Sequence, residues 1–146
     1  MFDQLTQLVL EIFKTNGQLV RWGDDFTSQF GISSAKWQVL GAIAMADQPL
    51  SSPQIAYEMG VSRQGAQKQL NALMAEELIE PIANPHNKRS PLYRTTEGGQ
   101  KLFDQISQKW IAHTQELSSK LQDYDLEQAL QLLHTIRALH SKGDKV

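Results

Sequence analysis

Two short helical patterns separated by one glycine lie in the middle of the sequence and restrict the fold more than any other feature. Ser52 is a good helix cap, and Pro53 suits the first helical position, where its missing N–H costs nothing. Gly60 stands where a helix must reverse direction, and Ser62 is expected to cap the next helix. We therefore predict a helix-turn-helix over residues 51–77.

The helix pair also has the side chains that such a crossing needs. Ala56 supplies a small residue where the helices meet, and Val61 is expected to form an apolar plug beneath the turn. Apolar residues recur along the second helix at helical spacing, which predicts its buried stripe. They are Ala66, Leu70, Leu73 and Met74.

The hydrophobic period changes after this helix pair. Residues 78–83 and 91–96 are predicted to be two short strands, and residues 84–90 between them are polar, turn-forming and basic. The prolines at the margins suit an edge position in a small sheet. The segment is therefore predicted to be a hairpin with a long tip, the wing of a winged helix-turn-helix.

Helical periodicity covers the rest of the chain, with Ser33 or Ser34 and Asp125 as predicted caps. The predicted fold class is mainly α with a small β-hairpin wing, a winged helix-turn-helix domain plus a terminal-helix dimerisation region. A length of 146 residues fits one domain, 1–146. Within it we predict a DNA-binding region at 33–99 and dimerisation helices at 1–30 and 100–146.

Charge is distributed unevenly, although the formal net charge is only −2. Residues 62–101 hold six basic and four acidic residues, and residues 81–96 hold three basic residues, one histidine and no acid. One face of the molecule can therefore contact a polyanion. The absence of cysteine excludes disulfides, thiolate metal sites and thiol redox sensing, and it suits a cytoplasmic protein. No apolar run is long enough to span a bilayer, so no membrane partner is predicted.

The polar face of the second helix has the residue types that read DNA bases. Arg bonds bidentately to guanine and Gln pairs with adenine, so we assign base reading to Arg63, Gln64 and Gln67, with Lys68 beside them. Ser62 and the first-turn N–H groups are expected to meet a phosphate. The alternative, an ordinary amphipathic surface helix, remains open at this point.

The wing favours the DNA-binding interpretation. We expect Lys88 and Arg89 at its tip to enter the minor groove, where negative potential is strongest in narrow tracts, and Arg94 on the returning strand to contact a phosphate. A long basic tip has no stabilising purpose of its own, although a solvated loop that happens to be basic is the alternative.

Taken in this order, the residues resemble the MarR family of bacterial winged-helix transcription regulators, over essentially the whole chain. The family wing usually carries an acidic residue ahead of paired basic residues, where this chain has Asn87. The strongest part of the resemblance runs through Ser62-Arg63-Gln64-Gly65-Ala66, Leu78-Ile79-Glu80, Asn84-Pro85-His86-Asn87-Lys88-Arg89-Ser90 and Leu92-Tyr93-Arg94-Thr95-Thr96-Glu97-Gly98-Gly99.

The resemblance implies a homodimer that binds double-stranded DNA at a near-palindromic operator and represses nearby genes. It also implies a small aromatic effector, for which Trp22, Trp37 and Trp110 are the candidate residues, although for any one of them a place in the core is the favoured interpretation. The apolar residues at both chain ends independently favour a dimer over packing within one subunit. They are Phe2, Leu5, Leu8, Val9, Leu126, Leu130, Leu133, Ile136 and Leu139.

No cofactor, metal site or enzyme activity is predicted. The histidines lack zinc-motif spacing, and the adjacent carboxylates of Asp24 and Asp25 are interpreted as a solvated helix end. One rival function is a winged-helix protein–protein interaction module without DNA binding, which requires an apolar or acidic patch on residues 63–71. The other is a small-molecule-binding or enzymatic helical bundle, which requires a convergent polar pocket.

Overall fold

The computed structural model describes residues 1–141 of the chain. Six helices and three strands lie in these residues, and the chain divides into two compact units, Met1–Ile106 and Ser107–Val146. The predicted class, mainly α with a small β wing, agrees with this architecture. In chain order the elements are α1 (Gln4–Ser28), α2 (Ser34–Ala44), β1 (Leu50–Ser51), α3 (Ser52–Met59), α4 (Arg63–Ala75), β2 (Ile79–Ile82), β3 (Leu92–Thr95), α5 (Glu97–Lys120) and α6 (Leu126–Leu139).

Helix α1 begins at an aspartate cap. The backbone N–H of Thr6 donates to Oδ1 of Asp3 at 2.7 Å, and this bond lowers the pKa of the Asp3 carboxyl from its ordinary value. No helix within residues 1–141 has both the length and the apolar character needed to cross a membrane.

The contact between α1 and α2 differs from the interpretation of Asp24 and Asp25 as a solvated helix end. Asp24 is not simply part of a solvated helix end, because its Oδ1 accepts the backbone N–H of Ser34, the first residue of α2, at 2.8 Å. The two helices approach closely here, since a Cβ at Gly23 would lie 2.7 Å from Oγ of Ser34. The carboxylate therefore fixes the start of α2 against α1.

The core of the first unit lies between α2, α3, α4 and the sheet. Its fully buried members include Leu40 of α2, Ile55 of α3, and Leu70 and Leu73 of α4. Burying one such side chain contributes about 1.5–3 kcal/mol. At the end of α4, Lys36 of α2 also forms an ion pair with Glu76.

The helix-turn-helix is present, with one cap shifted. Helix α3 begins one residue earlier than predicted, because Ser51 rather than Ser52 is the cap and Gln54 Oε1 accepts the Ser51 N–H at 2.9 Å. Gly60 has a φ of 65°, the left-handed conformation that favours glycine, and it ends α3 as predicted.

The sheet has one more strand than the sequence predicted. Its order is β1-β3-β2 with antiparallel pairing, so β3 is central and the proline-containing β2 is an edge strand. Tyr93 of β3 pairs with Leu50 of β1 on one side and with Pro81 of β2 on the other.

The second unit, described to residue 141, contains the end of α5 and all of α6. The predicted cap of α6 is present, because Asp125 Oδ1 accepts the backbone N–H of Gln128 at 3.0 Å. No residue of α6 is buried, although the helix carries five leucines. A helix of this composition leaves an apolar surface in contact with solvent in the single chain.

Candidate nucleic-acid interface

The first turn of α4 is capped in a way that leaves two backbone donors unused. The hydroxyl oxygen of Ser62 accepts the N–H of Gly65 at 2.9 Å, and its carbonyl oxygen accepts the N–H of Ala66. Helix geometry provides no intrahelical acceptor for the N–H groups of Arg63 and Gln64. These donors, the partial positive charge of the helix start and the remaining Ser62 proton can together bind a phosphate oxygen.

Gly65 provides the space that this cap requires. A Cβ at this position would lie 3.0 Å from Oγ of Ser62, closer than side-chain carbons normally approach. The cap explains the glycine at position 65 whether or not the protein binds DNA.

The outer face of α4 is polar and lies opposite its buried stripe. Arg63, Gln64 and Lys68 are exposed, whereas Ala66 and the leucines that follow it are buried. Gln67 is half-buried and donates its Nε2 to Oδ1 of Asn71 at 2.8 Å. None of the exposed residues at 63–71 is apolar or acidic, so the patch required by a protein-binding module is missing from this face.

The wing tip is exposed at all of its basic side chains, which are those of His86, Lys88 and Arg89. Two asparagines hold the backbone of the tip. Asn84 accepts the His86 N–H at 3.0 Å and donates to the carbonyl of Ser90 at 2.9 Å, and Asn87 accepts the Arg89 N–H at 3.0 Å. The sequence alone assigns no role to Asn84, whose only local signal is its position at the start of a turn.

Arg94 has a partner that the sequence did not reveal. Its Nε donates to Oε1 of Glu80 at 2.7 Å, across the directly paired positions of β2 and β3, and both side chains are about half exposed. An exposed ion pair of this kind contributes between zero and about 1 kcal/mol to the free energy of unfolding. A phosphate contact by Arg94 remains a prediction, and it must compete with this carboxylate.

Comparison with known proteins supports a single family. A sequence model of the MarR family matches residues 30–90. An uncharacterized protein of Mycobacterium tuberculosis is 34% identical over 118 residues, which cover 81% of this chain and 81% of that protein. The chain belongs to the MarR family.

Solved MarR-family structures give the same fold. A MarR variant from Escherichia coli complexed with operator DNA superposes with a TM-score of 0.71 at 19% identity, covering 97% of this chain and 99% of that one. Staphylococcus aureus MarR in complex with salicylate and kanamycin gives a TM-score of 0.68 at 21% identity, covering 95% and 92%. The predicted fold class is therefore confirmed.

Two of the three tryptophans singled out in the MarR-like sequence share an aromatic cluster. The ring of Trp22 stacks on Phe26 with centroids 5.0 Å apart, and Phe26 lies 5.4 Å from Trp37. Phe26 was not among the candidates predicted from the sequence, which were all tryptophans. Trp110 lies in the second unit, with its ring 5.6 Å from that of His113. All three tryptophans are half-buried.

The turn of the helix-turn-helix differs from the prediction at one residue. Val61 is 46% exposed and does not plug the turn. Val61 instead lines a cleft of about 290 Å³ on the side of the turn that meets α1 and α2. The other lining residues are Asn16, Val20, Ala35, Gln38, Val39, Met59, Gly60, Gly65 and Gln69.

Proposed function

We propose that this MarR-family protein is a dimeric, sequence-specific DNA-binding transcription regulator that represses nearby genes. One observation carries the proposal: α4 exposes Arg63, Gln64 and Lys68, and the same compact unit exposes the basic tip residues Lys88 and Arg89. Two separate basic or amide-bearing elements on one small unit fit the two grooves of a DNA duplex.

The proposed roles follow from the chemistry of each side chain. Arg63, Gln64 and Gln67 read base edges in the major groove, with Lys68 beside them. Ser62 and the first turn of α4 bind a phosphate. Lys88 and Arg89 enter the minor groove, and Arg94 reaches a phosphate after leaving Glu80. That the related Escherichia coli MarR variant was solved with operator DNA supports DNA binding as the function.

We propose that a second copy of the chain packs against the apolar residues at the two chain ends. In the first unit, Phe2 and Leu5 are 67% and 61% exposed, while Leu8 and Val9 are half-buried. In the second unit, Leu126, Leu130, Leu133 and Leu139 are exposed and Ile136 is half-buried. Exposed apolar surface of this extent is typical of an oligomer interface. Two copies would also present two winged units to a near-palindromic operator.

An aromatic effector is the proposed signal that relieves repression. The half-buried cluster around Trp22 and Trp37 offers ring faces for stacking, and we include Trp110 on the strength of the family resemblance. The Staphylococcus aureus relative was solved with salicylate, an aromatic acid, which supports this chemical class.

The test of DNA binding is selection from a random-sequence duplex library, followed by anisotropy titration of the selected duplex and of the protein's own upstream region. Wild-type protein is expected to select a near-palindromic sequence. Arg63→Ala should weaken binding, and Arg21→Ala is the matched control because Arg21 lies on α1 with its guanidinium on Gln18. Recovery of no shared sequence would contradict the proposal.

A further inference from the structure

We propose that Asn84 is a positioning residue for the wing: it closes the tip with uncharged hydrogen bonds and so holds Lys88 and Arg89 ready for DNA. The proposal rests on the proposed DNA-binding function. It concerns a different property of the same surface, because it states what organises the basic tip before DNA arrives.

The amide of Asn84 joins the two ends of the tip. Its Oδ1 accepts the N–H of His86 at 3.0 Å, and its Nδ2 donates to the carbonyl oxygen of Ser90 at 2.9 Å. The carbonyl of Asn84 also accepts the N–H of Asn87 at 3.3 Å. One residue therefore bonds to both sides of the segment that carries Lys88 and Arg89.

The orientation of the Asn84 amide is determined by its two partners. Exchanging oxygen and nitrogen would place an N–H group against the His86 N–H and an oxygen against the Ser90 carbonyl. Both contacts would be repulsive, so only one orientation satisfies the site. For the same reason aspartate cannot replace Asn84, because its second oxygen would meet the Ser90 carbonyl.

Asn87 forms a second, smaller turn inside the first. Its Oδ1 accepts the Arg89 N–H at 3.0 Å, and its carbonyl accepts the Ser90 N–H at 3.2 Å. Of the Asn87 side chain, only the oxygen takes part in these bonds, and its amide nitrogen does not. Aspartate could therefore replace Asn87 without breaking this turn, in contrast to Asn84.

The charge of the tip explains why an uncharged closure matters. No acidic residue lies between 81 and 96, and the nearest carboxylate on the hairpin, that of Glu80, is bonded to Arg94. The positive charges of Lys88 and Arg89 are thus not offset by a carboxylate of the tip. Their full charge is available to phosphates and to the negative minor groove. A tip that is already ordered also loses less conformational freedom on binding.

Backbone amide exchange tests the closure without any DNA. Asn84→Ala removes the acceptor of the His86 N–H and the donor to the Ser90 carbonyl, whereas Asn87→Ala removes only the acceptor of the Arg89 N–H. Exchange at the His86 N–H should accelerate in Asn84→Ala and stay close to wild type in Asn87→Ala. Equal exchange at His86 in wild type and Asn84→Ala would overturn the closure, whether or not the protein binds DNA.

Anisotropy titration with the duplex selected by wild-type protein tests the positioning role. Asn84→Ala should weaken binding roughly three- to tenfold, the range expected when one or two side chains must be ordered on binding. The same change in a Lys88→Ala/Arg89→Ala background should have no further effect, because Asn84 acts through those two side chains. Asn16→Ala, on α1, is the control and should bind as wild type does.

The results separate the two proposals. If wild-type protein selects no duplex, the proposed function fails together with the positioning role, while amide exchange still decides the closure. If wild type binds and Asn84→Ala binds equally well, the positioning role alone is wrong. An unchanged thermal midpoint in Asn84→Ala excludes general unfolding as the cause of weaker binding. If Asn84→Ala lowers DNA affinity as much in the Lys88→Ala/Arg89→Ala background as it does alone, Asn84 does not act through the tip cations.

Discussion

The Cα of Gly99 lies directly against the carbonyl of Leu78, so closely that a Cβ at position 99 would stand 1.8 Å from the Leu78 oxygen. The same carbonyl accepts the N–H of Thr96 at 3.1 Å, and the Thr96 hydroxyl oxygen accepts the N–H of Gly99 at 3.0 Å. This contact fixes the start of α5 against the segment that leads from α4 into the wing. It is a position where only glycine fits.

Gly99→Ala is therefore expected to destabilise the protein strongly. The methyl group would force backbone apart rather than a flexible side chain, and overpacking of this kind costs about 1–3 kcal/mol or more. Gly98→Ala is the matched control, because a Cβ there would lie 3.8 Å from the Thr96 hydroxyl, an ordinary contact. Urea denaturation of both variants measures the difference, and equal midpoints would contradict the close approach.

Removal of the α4 cap should lower stability by a smaller amount. Ser62→Ala loses the acceptor for the Gly65 N–H and should cost about 1 kcal/mol, whereas Ser62→Gly should cost only a few tenths. The difference in the free energy of unfolding between the two variants is the measurement. Because Ser62 is also assigned to a phosphate, Ser62→Ala should weaken DNA binding more than Ser33→Ala, which removes the cap of α2.

Loss of the wing arginine should change the salt dependence of binding. Arg89→Ala should weaken operator binding and reduce the slope of log K against log salt by about one counterion per subunit. Lys14→Ala is a suitable control, since Lys14 is exposed on α1 and already paired with Glu11. An unchanged affinity together with an unchanged slope would remove the wing from the mechanism.

Substitution of a base-reading residue should change specificity rather than overall affinity. Gln64→Ala should relax the preference at one base pair of each half-site by about 1–3 kcal/mol. Parallel selection experiments with the variant and with wild type measure the preference at every position. Identical selected motifs would refute the assignment of Gln64.

The dimer proposal predicts that a charged substitution on α6 lowers the mass of the assembly without unfolding the subunit. Leu130 of α6 is 54% exposed in the single chain, so an aspartate there costs little within one subunit but buries an unpaired charge in a dimer interface. Leu130→Asp should shift the sedimentation coefficient from dimer toward monomer. Gln131→Asp, at the next and also exposed position, should remain dimeric. A monomeric wild type would contradict the proposal.

The sequence predicted most of the fold because the helix boundaries carry local signals. The caps at Ser33, Ser62 and Asp125 and the turn at Gly60 depend on residues within a few positions of each other, and all four are present. Strand β1 was overlooked because it has only two residues and is defined by its pairing with β3, about forty positions away. Non-local pairing of so short a strand leaves no periodic pattern.

The candidate site was predictable in composition but not in its contacts. The basic residues of the tip could be counted in the sequence, and their exposure follows from the hairpin. The bond between Arg94 and Glu80 depends on the strand register, and the closure by Asn84 depends on the path of the tip. Asp24 was misinterpreted for the same reason, because its partner Ser34 belongs to another helix.

The most direct test of the central claim is a competition titration at physiological salt between the duplex selected by wild-type protein and a scrambled duplex of equal length and composition. If α4 contacts base edges and the wing binds in the minor groove, the protein should bind the selected duplex at least about a thousandfold more tightly than the scrambled duplex. Equal affinity for the two duplexes would show that the basic surface attracts DNA without reading it, and the account would be wrong.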